Sequence, residues 1–143
     1  MIEVERATEA DLARLTELSE VSLRDPWSRN ALAQELRLPE ARLLVGRTGD
    51  GEVVGYVAVR RIVDELHVLS LAVDPGWRRL GVGKKLPGHA IEAESGVRRV
   101  HLEARAEDPT AAAFYRALGF VSVARRPAYY PGSQDALSMT RPA

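Results

Sequence analysis

One stretch constrains the fold more than any other: Leu69-Ser70-Leu71-Ala72-Val73-Asp74-Pro75-Gly76-Trp77-Arg78-Arg79-Leu80-Gly81-Val82-Gly83-Lys84-Lys85-Leu86. It reads as a buried strand stopped by Asp74-Pro75-Gly76, since proline has no N–H to offer a neighbouring strand. A basic loop with interspersed glycines follows and opens a helix. A helix start leaves N–H groups without intrahelical partners, and the helix dipole adds positive potential there. Gly81 and Gly83 let main chain approach a ligand closely, and Arg78, Arg79, Lys84 and Lys85 supply charge. The stretch therefore reads as a phosphate site at a strand–helix junction, or more plainly as a basic turn with a glycine start. No Gly-x-x-x-x-Gly-Lys-Ser/Thr is present, and a dinucleotide fingerprint would need glycine where Leu86 stands.

The 143 residues fit one domain, taken as 1–143, and a hydrophobic share of 45% is ordinary for a packed core. Twenty basic and twenty acidic residues cancel, so bulk charge draws the chain to neither nucleic acid nor membrane. With no cysteine there is no disulfide, no thiolate metal site and no cysteine nucleophile. Met1-Ile2-Glu3-Val4-Glu5 is not a signal peptide, and no apolar run approaches the roughly 18–20 residues of a membrane helix. The expectation is a soluble cytoplasmic protein. His67, His89 and His101 lack metal-ligand spacing and no carboxylate can be placed behind them, so no metal is expected.

Ile2 to Arg6 alternates like a half-buried strand. Thr8 and Asp11 have capping-box spacing ahead of Leu12, Leu15, Leu18 and Val21, predicting a helix over about 8–21. Asp25-Pro26-Trp27 breaks it, and Ser28 caps a second short helix ending before Pro39. Ala41–Thr48 and Glu52–Val63 form a hairpin through Gly49-Asp50-Gly51. Gly55 marks a bulge or a close backbone approach. In the next strand, Leu66–Val73, the apolar parity switches near Val68-Leu69-Ser70. Either a bulge lies there or both faces are buried. The helix from Gly81 to Glu94 meets Pro87-Gly88, which predicts a kink or a late, irregular start. Val97–Arg105 is a strand with Val100, Leu102 and Ala104 on one side and His101, Glu103 and Arg105 on the other. Asp108-Pro109 starts a helix that stops at Gly119. Phe120–Arg125 and Ala136–Thr140 are final strands, with Tyr129-Tyr130-Pro131-Gly132 in the loop between. This order describes a mixed-sheet α/β domain.

Element order and four segments resemble the GNAT N-acetyltransferase family. Arg78-x-x-Gly81-x-Gly83 is similar to its coenzyme A pyrophosphate motif, and Leu69–Pro75 resembles its bulged, splayed coenzyme-binding strand. Ala113-Phe114-Tyr115-Arg116-Ala117-Leu118-Gly119-Phe120 resembles its last helix. Arg126-x-x-Tyr129-Tyr130-Pro131, with Asp135-Ala136-Leu137-x-Met139 and Asp25-Pro26-Trp27-Ser28, resembles the RimI-like branch, which acetylates the N-terminal alanine of a small-subunit ribosomal protein. Three departures stand out: Asp108 where the family has asparagine, Gln134-Asp135 for a Glu-Asp pair, and Pro87-Gly88 inside a usually regular helix.

The resemblance implies acetyl-CoA as co-substrate and a protein N-terminus as acceptor. Glu103 would be the base and Tyr115 the acid beside the coenzyme sulfur. Leu71, Ala72 and Val73 would present main-chain groups to the pantetheine arm. Arg78, Arg79, Leu80, Gly81, Val82, Gly83 and Lys84 would hold the pyrophosphate, and Asp108 would stand near the coenzyme. Tyr129 and Tyr130 would close over the acceptor. On spacing alone, Glu103 reads first as a solvated strand-face charge and Trp27 as a core anchor between helices rather than a ligand contact, while Tyr115 is equally a helix-core residue and Tyr129 and Tyr130 equally edge packing. With no cysteine to form an acyl-enzyme, transfer would be direct, within a ternary complex. The alternatives are a lysine or small-amine acetyltransferase of the same family, or a non-catalytic acetyl-CoA-sensing module.

Overall fold

Alternation of apolar and charged residues makes β1 (Ile2–Arg6) a strand, and it buries Ile2. The computed structural model describes residues 1–143. Asp11 reaches back so that its Oδ2 accepts Thr8 N–H at 2.9 Å. That cap opens a 3-10 turn, Glu9–Asp11, and only then does α1 (Leu12–Ser22) begin. Ser28 Oγ accepts Ala31 N–H at 3.1 Å and starts α2 (Arg29–Arg37). Then follow β2 (Ala41–Thr48), β3 (Val53–Ile62), β4 (Glu65–Val73), α3 (Val82–Glu92), β5 (Arg99–Arg105), α4 (Pro109–Ala117), β6 (Val121–Tyr130) and β7 (Gln134–Pro142).

The strands form one seven-stranded sheet in the order β1-β2-β3-β4-β5-β7-β6. Every pairing is antiparallel except β4 with β5. The mixed α/β expectation is met, with a core on each face. Leu12, Leu15, Leu18 and Leu32 from α1 and α2 pack on Leu43, Val45 and Tyr56. On the other face Val82, Leu86 and Ala90 from α3 pack on Val57, Leu66 and Val100, with Phe120 beside them.

The register settles the two readings of β4. Ala58 pairs with Ser70 and Val59 with Val68, so Leu69 is the extra residue of a bulge. Leu66 and Val68 lie in the α3-side core before the bulge, and Leu71 and Val73 pack against it afterwards. The parity switch was that bulge. Gly55 proves to be a close approach: a Cβ there would lie 3.0 Å from Ala72 O and 3.1 Å from both Leu86 Cδ1 and Val82 Cγ1. Small size is what lets α3 sit on β3.

Three expectations need correction. Helix α3 runs uninterrupted from Val82 through Pro87 to Glu92, with neither a break nor a late start. Pro87 is buried among the core residues of α3, and packing holds the helix where local propensity would not. The parallel-paired strand after it begins at Arg99, two residues later than expected. Tyr129 and Tyr130 are not in a loop: they end β6, where Tyr130 pairs with Gln134. The register breaks between Arg126 and Tyr130 and then resumes. Across the break Asp135 stands in for the ladder, accepting Ala128 N–H at 3.0 Å and Arg125 Nε at 2.7 Å. No helix is long and apolar enough to cross a membrane.

Candidate active site

The bulge has a consequence for the neighbouring strand. Parallel pairing of β4 with β5 covers only Glu65–Val68 against Arg99–Leu102 and stops where Leu69 bulges out. Beyond it β4 continues on β3 to Val73, while β5 turns to β7 as far as Arg105. The edge of β4 over Leu71, Ala72 and Val73 therefore has no partner strand on the β5 side. Ser22 Oγ donates to Val73 O at 3.0 Å and fixes this end of the strand to α1.

Asp74 then caps the turn Pro75–Trp77 by accepting Gly76 N–H at 2.8 Å. Arg14 Nη2 donates to its other oxygen at 2.6 Å, and these bonds hold the Asp74 carboxyl below the usual carboxylate range. The basic loop starts from this fixed point. Gly81 is the N-cap of α3 with φ +84°, a conformation that strongly favours glycine. The first intrahelical bond is Lys85 N–H to Gly81 O at 2.9 Å, so the N–H groups of Val82, Gly83 and Lys84 precede it. A Cβ on Gly83 would lie 3.3 Å from Phe114 Cζ, so glycine there lets α4 approach the start of α3. Arg78, Arg79, Leu80 and Lys84 are exposed around this helix start. Two details differ from expectation. Lys85 turns away to donate to the Ile2 carbonyl. Val82 buries its side chain in the core, leaving only its N–H at the helix start.

Asp108 caps α4, its Oδ1 accepting Ala111 N–H at 3.0 Å, with Pro109 as first helical residue. Tyr115, partly buried, packs edge-on to Phe114 and Phe120 at centroid distances of 5.2 and 5.9 Å. Burial, with a smaller push from the Asp108 charge, raises its phenol to about 12.

Glu103 lies on the other side of the sheet from Tyr115, as strand alternation requires. Its Oε2 accepts Ser138 Oγ at 2.7 Å, and its Oε1 accepts Arg126 Nη1 at 3.3 Å and lies 2.9 Å from His101 Nε2. Burial alone would raise its pKa, but the hydrogen bonds from Ser138, His101 and Arg126 outweigh it and the carboxyl is held lower than usual. The histidine with no placeable carboxylate thus has one, and His67 likewise pairs with Glu65 at 3.0 Å. The signal was the shared face of His101 and Glu103, two residues apart on one strand.

These groups open into a cleft of about 370 Å³ lined by Trp27, Leu69, His101, Glu103, Tyr129 and Tyr130, among others. Tyr129 and Tyr130 pack edge to face, 4.9 Å between centroids. Tyr130 donates its hydroxyl to Glu103 O at 3.2 Å, and the Arg105 guanidinium lies 4.4 Å from its ring centre. Trp27 serves both readings, packing against the α1–α2 core while lining the cleft. Glu103, Tyr129 and Tyr130 are therefore together, whereas Tyr115 and the glycine loop lie on the α3–α4 side.

This arrangement has counterparts. The crystal structure of the ribosomal-protein-S18-alanine N-acetyltransferase from Escherichia coli superposes with TM-score 0.89 at 28% identity, covering 99% of this chain and 94% of that one. By sequence, the [ribosomal protein bS18]-alanine N-acetyltransferase of Escherichia coli K12 is 34% identical over 122 residues, 82% of this chain and 81% of the relative. The N-alpha-acetyltransferase RimI of Mycobacterium tuberculosis is 36% identical over 143 residues, 94% of this chain and 88% of the relative. A longer protein, the uncharacterized ML0378 of Mycobacterium leprae, is 38% identical over 125 residues, and that match spans 34% of its length. The model of the acetyltransferase (GNAT) family matches residues 12–120, from the start of α1 to the end of the α4 turn. The family model and these relatives show that the chain belongs to the acetyltransferase (GNAT) family.

Proposed function

We propose that this acetyl-CoA-dependent N-acetyltransferase acts on the N-terminal α-amine of a protein, with the N-terminal alanine of a ribosomal protein as the first acceptor to test. The observation that carries the reading is the acidic end of the cleft: Glu103, braced by Ser138 and Arg126, faces the space walled by Tyr129 and Tyr130. A carboxylate there draws in an ammonium group, and the tyrosine wall suits a narrow peptide end. The relatives named for alanine and α-amine acetylation support the same acceptor.

Acetyl-CoA fits the opposite end. The N–H groups of Val82, Gly83 and Lys84 with Arg78 and Arg79 suit its pyrophosphate, and the β4 edge over Leu71, Ala72 and Val73 can pair with an extended amide-bearing arm. Asp108 keeps the helix cap but, as a carboxylate, brings no amide donor to the coenzyme. When bound, acetyl-CoA supplies a thioester carbonyl for the amine to attack. A main-chain N–H near Leu71 to Val73 can polarise that carbonyl. Tyr115 stays a neutral phenol and donates a hydrogen bond as the sulfur leaves.

An α-amine, with a pKa of about 8, is partly neutral at pH 7, whereas lysine at about 10.4 is not. A site whose carboxylate is held low therefore favours the α-amine. Incubation with acetyl-CoA and a short peptide beginning with alanine should release free thiol and add one acetyl group to the peptide. A peptide with blocked N-terminus and free lysine should not react. Faster reaction of the blocked peptide would move the protein to the lysine reading. Acetyl-CoA binding without turnover on either would favour a sensing module.

A further inference from the structure

Every oxygen of the Glu103 carboxylate already faces a donor: Ser138 Oγ on Oε2, and His101 Nε2 and Arg126 Nη1 on Oε1. An ionised carboxylate in such a cage anchors well but takes up a proton poorly. It cannot donate, so the hydrogen in its bond with His101 sits on Nε2. That leaves Nδ1 as the acceptor of the ring. Imidazoles as a class titrate about two units above carboxylates and nearer an α-amine.

A second pair of the same kind stands alongside. His67 and His101 are register partners in the last parallel-paired stretch before the splay, with ring centroids 5.0 Å apart. His67 Nε2 lies 3.0 Å from Glu65 Oε1, and both rings line the cleft. About three-quarters of each imidazole is buried, 24% and 25% exposed for His101 and His67. The charged and titratable groups around them are Glu103 on β5, Glu65 on β4, Arg126, Tyr129 and Tyr130 on β6, and Arg60 on β3, the cross-strand partner of His67, which is ion-paired to Glu35 of α2.

We propose that His101 accepts the proton of the attacking amine, that Glu103 acts as its positioning residue, and that His67 leads the proton onward to solvent. The inference rests on the acetyl-transfer reading above. An acceptor ammonium loses one proton through His101 and His67 to solvent. Its nitrogen then attacks the thioester carbon, the new C–N bond forms and the C–S bond breaks. The second proton shed by that nitrogen balances the one gained by the sulfur. The sum is an amide, a free thiol and one proton released.

The test compares wild type, His101→Gln, His67→Gln and Glu103→Gln using acetyl-CoA, an alanine-starting peptide and thiol release across about pH 5.5–9. His101→Gln should lower kcat roughly 100-fold. It should also leave acetyl-CoA affinity by calorimetry within about twofold, flatten the acid limb of the kcat/KM profile, and recover in part with added imidazole. His67→Gln should cost a few-fold at most, and Glu103→Gln should move the acid limb rather than erase it. A His101→Gln protein with wild-type kcat, or with its acid limb unmoved, overturns the proposal. Imidazole-nitrogen NMR on the wild-type protein tests it without any variant: hydrogen on Nε2 of His101 is expected, and hydrogen on Nδ1 overturns it. A wild-type protein that acetylates no amine would instead sink the acetyl-transfer reading, and leave the tautomer result standing.

Discussion

Tyr115 shows how a single residue's environment narrows its chemistry. Its phenol is pushed up to about 12, against a thiol of about 8.5, so complete transfer of its proton to a thiolate runs uphill by roughly 5 kcal/mol. The residue is therefore suited to donating a hydrogen bond as charge develops on sulfur, with solvent completing the transfer. Tyr115→Phe should lower kcat by roughly 100-fold and leave both KM values nearly unchanged, since the bond strengthens only as the sulfur departs. Steady-state rates with each substrate varied in turn check this. Glu103 makes a separate prediction about stability. Its folded-state carboxyl is held below the unfolded value, so its contribution is full above about pH 4.3 and is lost as pH falls through the lower folded value. The stability gap between wild type and Glu103→Gln, measured by urea unfolding, should stay level down to about pH 5 and shrink on further acidification. At this scale the sequence revealed the strand face of Glu103 and His101 but not their bond, because alternation reports direction and not distance. Ser138 was hidden for another reason: it arrives from β7, thirty-five residues away in the chain.

Whole elements were legible wherever local and tertiary preferences agree. The capping residues Thr8, Ser28 and Asp108, the hairpin glycines and the parity switch in β4 all led to the right element. Where the two preferences conflict, the sequence misled. Pro87 opposes a helix locally, yet α3 passes through it because Leu86, Pro87 and Ala90 are buried against the sheet. Tyr129 and Tyr130 were read as loop because Pro131-Gly132 follows, whereas Asp135 bridges the irregular register and lets β6 continue. The proline supplies a quantitative test. A mid-helix proline costs roughly 3 kcal/mol relative to alanine. Removing its two ring methylenes from a buried site gives back roughly 0.8 kcal/mol each. Pro87→Ala should therefore stabilise the protein by about 1 kcal/mol, read as a higher urea midpoint. Acetyl-CoA affinity should stay the same, because the cap at Gly81 and the N–H groups of Val82 to Lys84 lie before the proline. A weakened affinity would show that the proline sets the geometry of the phosphate end.

At the scale of the molecule, the sheet has two halves joined along one short parallel seam, Glu65–Val68 with Arg99–Leu102. Beyond that seam β4 and β5 part, and side-chain contacts tie the two halves together. One side-chain bridge does this on the cleft side. Arg105 on β5 takes Asp25 in the α1–α2 connection through two bonds, at 2.9 and 2.8 Å, while its guanidinium covers the Tyr130 ring. The bridge thus joins the segment carrying Trp27 to the strand carrying Tyr129 and Tyr130, the opposing walls of the cleft. Its partners differ in burial: the Asp25 side chain is 42% exposed and that of Arg105 only 9%. Breaking the bridge from the Asp25 side leaves a mostly buried guanidinium under-partnered, which costs more than an exposed ion pair is worth. Asp25→Asn keeps one acceptor and the shape but removes the charge, so the expected result is looser walls rather than an unfolded chain. The KM for an alanine-starting peptide should rise by roughly 3- to 10-fold, equivalent to about 1 kcal/mol of lost binding. The KM for acetyl-CoA, which the proposed function assigns to the glycine-loop side, should stay put. Initial rates at saturating acetyl-CoA with the peptide varied, and the converse, separate the two. A rise confined to the acetyl-CoA KM would place the effect of the bridge at the coenzyme end and refute its role in shaping the acceptor cleft.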